Sequence, residues 1–100
     1  MPDSQTVTIV RKVPGGKLVR MEVTSATVAG PIERVKITGD FFLHPEETLE
    51  RLRSAIESSP LPLDADALTA RLERIMAEDN AEAIGFAPGD LVSMLAEALA

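Results

Sequence analysis

The chain has no cysteine, tryptophan or tyrosine, and its 100 residues include only three aromatics, Phe41, Phe42 and Phe86. Without cysteine there is no disulfide, no thiolate metal ligand and no thiol nucleophile. His44 is the one histidine, so a multi-histidine metal site is excluded as well. The sequence lacks a Gly-x-x-x-x-Gly-Lys-Ser/Thr phosphate loop. It has no apolar run of about 18 residues, the length that spans a bilayer. Its start, Met1-Pro2-Asp3-Ser4-Gln5-Thr6, carries no basic region followed by an apolar stretch. Together these absences point to a cytoplasmic protein with no membrane segment and no catalytic residues of its own.

A chain of 100 residues is expected to form a single domain over 1–100, with 1–5 as a flexible tail. At this size folding buries about 60 to 70% of the unfolded surface, enough for one core. With so few aromatics, Leu, Val, Ile, Ala and Met must fill it. The net charge of −6 is uneven. Residues 1–44 carry six Lys/Arg against four acids, a balance of +2, and residues 45–100 carry four Arg against twelve acids, a balance of −8. The acidic half disfavours nucleic acid through phosphate repulsion. The mildly basic half suits an anionic ligand or an acidic partner. A solvated mixed surface accounts for the same composition.

The first half has the period of strands. Thr6–Val13 alternates, with Val7, Ile9 and Val13 on one parity. Pro14-Gly15-Gly16 marks a turn, Leu18–Val28 a second strand with Val19, Met21 and Val23 opposite Arg20, Glu22 and Thr24, and Ala29-Gly30-Pro31 a second turn. Ile32–Leu43 is expected as a third strand, kinked at Gly39. Its alternation places Val35, Ile37, Phe41 and Leu43 on the core face, and Arg34, Lys36, Thr38, Asp40 and Phe42 on the other. Short connections suit antiparallel neighbours. The second half has helical spacing. His44-Pro45-Glu46-Glu47 is a helix start carrying Leu49, Leu52 and Ile56, and Ser58-Ser59-Pro60-Leu61-Pro62 ends it. Asp64 caps a second helix bearing Leu68, Leu72, Ile75 and Met76, which Asp79-Asn80 breaks. Ile84-Gly85-Phe86 is expected as an apolar connector, and Pro88 opens a third helix with Leu91, Val92, Leu95 and Leu99. The expected fold is α+β, a small three-stranded antiparallel sheet with about three helices on one face.

Gly15, Gly16 and Lys17 are the candidate ligand contacts, for a phosphate or an acidic partner. Two glycines permit close backbone approach, and a lysine follows them. The same residues make an ordinary hairpin turn. Asp40 suits an Asx role at the corner, and His44 the end of a strand. On the polar sheet face, Val10, Leu18 and Phe42 are apolar residues ringed by charge, including Lys36 and Asp40. That pattern fits a partner interface.

Three segments carry a resemblance. Gly-Gly-Lys-Leu-Val-Arg at 15–20 resembles the opening of the C-terminal accessory domain of lipoate–protein ligases. Val-Lys-Ile-Thr-Gly-Asp-Phe-Phe-Leu-His-Pro-Glu-Glu at 35–47 resembles its most recognisable stretch, and Ala-Ile-Gly-Phe-Ala-Pro-Gly-Asp-Leu-Val at 83–92 its close. Two departures stand out. The family's last helix opens Thr-Pro-Glu-Asp, where this chain has Ala87-Pro88-Gly89-Asp90, and the family's catalytic half, with its Arg-Arg and Gly-rich motifs, is missing.

The resemblance implies a fold similar to SufE/NifU-type sulfur-transfer scaffolds. It implies a stand-alone accessory subunit that forms a heterodimer with a large catalytic subunit and supports ATP-dependent lipoate adenylation. ATP, Mg and lipoate are then implied for that partner and none for this chain alone, and lipoyl-acceptor domains are met only indirectly. The alternatives are a generic protein-interaction domain, a sulfur-transfer scaffold relative lacking cysteine, and a lipoyl carrier. Carriers resemble all-β hairpin sandwiches with the acceptor lysine in an Asp-Lys turn, and this chain has no Asp-Lys pair.

Overall fold

The computed structural model describes residues 5–13, 17–25 and 32–99. Along the chain these form β1 (Gln5–Lys12), β2 (Leu18–Ser25), β3 (Ile32–Gly39), β4 (Phe42–His44), α1 (Glu47–Glu57), α2 (Ala65–Glu78), β5 (Glu82–Ile84) and α3 (Pro88–Leu99). The first three strands make an antiparallel sheet in the order β1-β2-β3, and β4 and β5 make a separate two-stranded ladder. The expected α+β class therefore holds. Gln5, expected in the tail, is paired with Ser25 in β1, and residues 1–4 lie outside the described residues. Ala26–Val28 of the expected second strand also lie outside them.

Parity sorts the main sheet as its sequence suggests. Val19, Met21 and Val23 of β2 and Val35 and Ile37 of β3 are buried. They join Leu52 and Ile56 of α1, Leu68, Leu72 and Ile75 of α2, and Leu91, Val92, Met94 and Leu95 of α3 in one core. Helix α1 lies against β3 and β4, α3 lies against β1 and β2, and α2 packs on α1 and α3. The opposite sheet face carries no helix among the described residues.

Ile32 breaks the simple alternation. Ser25 faces Ile32 while Thr24 faces Arg34, so Glu33 is an extra residue in β3. A bulge of this kind shifts side-chain parity by one position. Both Ile32 and Val35 can then be buried.

The expected single strand Ile32–Leu43 is in fact two. Gly39 has φ +146, and a β-carbon there would stand 2.2 Å from the Leu18 carbonyl oxygen. The chain leaves the sheet at this point, and Phe42–His44 pairs instead with Glu82–Ile84. The segment expected as a connector is thus partly a strand. Three residues are too few for alternation to reveal it.

Helix ends follow their sequence signals. The Asp64 carboxylate accepts from the Ala67 N–H at 3.1 Å, the expected N-cap of α2. At its other end Asn80 takes φ 49. The Ala81 N–H donates to the Met76 carbonyl and the Asn80 N–H to the Ala77 carbonyl, a Schellman stop. Helix α1 starts without a side-chain cap, and its first N–H groups are met by the carbonyls of Pro45 and Glu46.

Candidate functional site

A corner of the molecule gathers the three segments singled out in the sequence. The Asp40 N–H donates to the Leu18 carbonyl at 2.9 Å, which ties the end of β3 to the start of β2. The Lys17 N–H donates to the Gly85 carbonyl at 3.4 Å, which ties the start of β2 to the residue after β5. Gly85 has φ +109, and a β-carbon on it would stand 2.9 Å from Lys17 Cγ and 3.1 Å from Phe41 Cβ. Only glycine lets these two side chains close over the backbone there. Phe41 and Phe86 pack edge to face beneath the corner, with ring centroids 5.0 Å apart. Phe86 is buried and Phe41 half-buried against the core.

The outer side of this corner is apolar. Phe42 pairs directly with Ile84 across β4 and β5, and they are 56% and 52% exposed. Side chains directly opposite each other on an antiparallel pair project to the same face. His44 lies parallel to the Phe42 ring, with centroids 6.5 Å apart. A shallow groove of about 280 Å³ runs along Phe42, Leu43, His44, Pro45, Glu46 and Glu47.

The other candidate residues fall in two places. Val10, Leu18 and Lys36 are exposed on the open face of the main sheet, as expected. With Arg20 opposite Val10, and Lys12 opposite Leu18, they stand in a cationic surround. Phe42 is not on that face. Parity counted through Gly39 placed it there, but the break at Gly39 moves it to the β4–β5 ladder. Asp40 is exposed at the turn between the two sheets. Its expected Asx contact is replaced by a backbone one, because its main-chain N–H, not its carboxylate, makes the bond to Leu18. Lys17 is exposed, with its stem against Gly85. Gly15 and Gly16 lie outside the described residues.

The sequence missed Ile84 as the partner of Phe42, and it missed a polar clamp behind the corner. Thr48, fully buried, donates from its hydroxyl to Asp79 at 2.8 Å. Arg51 pairs with the same Asp79 and with Glu78 at 2.9 Å. Its hydrogen bonds to Glu78 and then Asp79 hold the guanidinium above its ordinary pKa. The start of α1, which follows β4 directly, is thereby fixed to the end of α2. Among the described residues no group of three or more His, Asp or Glu side chains is placed to hold a metal. No helix among them is long and apolar enough to cross a membrane.

The arrangement offers apolar side chains on a rigid backbone corner.

No family model matches the chain, and no curated protein matches it. Among solved structures, the fold is similar to a chain from an archaeal lipoylation system, a bi-partite lipoate protein ligase and its E2 lipoyl domain from Thermoplasma acidophilum. The TM-score is 0.68 at 20% identity, over 92% of this chain and 96% of that one. At that identity the likeness is one of fold.

Proposed function

We propose that this chain is a non-catalytic accessory subunit of a lipoate–protein ligase. It pairs with a large catalytic subunit and supports ATP-dependent lipoate adenylation before the lipoyl group passes to an acceptor protein. One observation carries the reading. The segments around Lys17–Arg20, Val35–Glu47 and Ala83–Val92, which resemble the accessory domain, converge on one corner and leave Phe42 and Ile84 exposed there. The fold shared with a chain from a bi-partite lipoate protein ligase system supports the same reading.

The action on this reading is conformational. Docking favours the adenylation-competent arrangement of the large subunit's ATP- and lipoate-binding loops, because the accessory surface binds that arrangement better than the alternatives. ATP, Mg and lipoate belong to the large subunit. The helical second half argues against the lipoyl-carrier alternative, since carriers resemble all-β sandwiches.

The test mixes the protein with a large catalytic subunit, ATP, Mg and lipoate, and follows lipoyl-adenylate formation and complex formation together. Stimulation with a stable complex is the expected result. Neither complex nor stimulation would end the proposal. A lipoyl mass increment on Lys17 after incubation with an active ligase would assign the carrier role instead.

A further inference from the structure

The two edges of the main sheet are treated differently. Strands β1 and β3 are its outer strands. On β3, the Val35 N–H points out of the sheet and donates to Glu57 Oε2 of α1 at 2.8 Å. Arg53 holds that carboxylate from one turn back at 2.7 Å. The β3 edge is thus occupied at its middle by the protein's own helix.

The β1 edge has no such cover among the described residues. Hydrogen-bonding direction alternates along an antiparallel strand, and one known bond fixes the phase. The Val13 N–H donates to the Lys17 carbonyl, so odd-numbered residues of β1 bond to β2. Two bonds elsewhere agree with this phase. Leu18, an even residue of β2, accepts from Asp40 on the β3 side, and Val35 of β3 points outward to Glu57. The N–H and C=O groups of Thr6, Thr8, Val10 and Lys12 therefore point away from β2. No side chain hydrogen-bonds to them, and no further strand pairs with them among the described residues.

Both faces of this edge carry exposed apolar side chains, Val7 at 39% on the helix side and Val10 at 54% on the open side. Among the described residues, the open face beside it holds four cations, Lys12, Arg20, Arg34 and Lys36, against two carboxylates, Glu22 and the bulge residue Glu33. A chain of net charge −6 thus presents a cationic sheet face next to an unpaired strand edge. A second copy of β1 is a poor occupant, because Gln5–Lys12 contains Arg11 and Lys12 and no acid.

We propose that β1 is completed in the assembled ligase by an extended segment of the large catalytic subunit. That segment pairs with Thr6, Thr8, Val10 and Lys12 and sets acidic side chains over the cationic open face. Main-chain pairing of this kind supplies affinity, and alternate side chains supply specificity. The inference rests on the accessory-subunit reading and names a surface separate from the Phe42–Ile84 corner.

The test uses residue-resolved amide hydrogen exchange on the whole protein, alone and with the large catalytic subunit. In the complex, the amides of Thr6, Thr8, Val10 and Lys12 should slow about tenfold or more, while those of Val7, Ile9 and Arg11, already paired to β2, change little. Thr8→Pro removes one outward N–H and leaves the β2 ladder intact, as an edge strand tolerates. It should weaken the complex about tenfold or more. If Thr8→Pro fails to fold, Val10→Glu at an exposed position carries the affinity test, with loss expected for both apolar contact and charge complementarity.

A complex in which the even-numbered amides keep their rates and Thr8→Pro binds like the parent would overturn this inference and leave the accessory reading standing. Absence of any complex would overturn both. Self-association of the protein alone, lost in Thr8→Pro, would give the edge to a second copy and also overturn it.

Discussion

Phe42 and Ile84 face each other across β4 and β5, and each keeps more than half of its surface in solvent. A Phe–Ile pair on a strand surface contributes about 0.2–1 kcal/mol to stability, so its loss should not unfold the domain. On the proposed accessory-subunit reading, its exposure at a glycine-defined corner makes it the candidate docking anchor. Phe42→Ala and Ile84→Ala should each shift the urea midpoint only slightly. Each should weaken binding of the large catalytic subunit by about 1–2 kcal/mol, as truncation of an interface anchor does. Isothermal titration of both variants checks this, and unchanged affinity in both would remove the corner from the interface.

Gly39 is the hinge that creates the corner. At φ +146 a side chain is strained, and the nearest obstacle to a β-carbon is the Leu18 carbonyl oxygen at 2.2 Å, which is backbone and cannot swing aside. The same carbonyl accepts from Asp40, so relief of the clash would break that bond too. Gly39→Ala should therefore cost about 1–3 kcal/mol in denaturant unfolding. It should also lower affinity for the partner by displacing Phe42. A variant as stable as the parent would show that the strand break does not depend on glycine.

These two sites show where sequence reasoning holds and where it stops. Val19, Met21, Val23, Val35 and Ile37 were legible as core because alternation over a full strand reports burial on one face. The helix stripes and the Asp64 cap were legible for the same local reason. Parity also found Val10, Leu18 and Lys36 on the open face. It failed for Phe42 because Gly39 reset the count, and it could not have placed Ile32, because the extra residue at Glu33 puts Ile32 on the same face as Val35. The pairing of β4 with β5 joins residues about forty positions apart through three-residue strands, and no local pattern encodes that contact. The Thr48–Asp79 bond was illegible on the same ground, since it links two helices whose sequences give no sign of each other.

Thr48 offers a clean measure of that hidden contact. Its hydroxyl is completely buried and donates to the Asp79 carboxylate, which Arg51 also holds. Thr48→Val keeps the shape and removes the donor. Hydrogen bonds to charged groups contribute about 1.5–3 kcal/mol, so a loss of that order in urea unfolding is expected. Pairing Thr48→Val with Asp79→Asn in a double-mutant cycle should give strongly non-additive losses, because the two act through one network. Additive losses would mean that Thr48 contributes by packing alone.

The start of α3 is the place where a stabilising change is expected. Asp90 reaches back so that its carboxylate accepts from the Ala87 N–H at 2.8 Å, which is half of a reciprocal capping box. The other half needs a hydroxyl at position 87, where this chain has alanine. Ala87 is exposed, so a larger side chain meets no packing obstacle there. Ala87→Thr supplies an acceptor for the N–H groups of the first helical turn, and a good N-cap in place of alanine contributes about 0.5–2 kcal/mol. For a domain of this size each kcal/mol raises the melting temperature by about 4–8 °C. The gain should vanish in an Asp90→Ala background if the reciprocal bond is what orders the cap. An undiminished gain there would show that the hydroxyl acts alone. A fall in melting temperature for Ala87→Thr itself would show that the helix start is already optimally closed by Asp90.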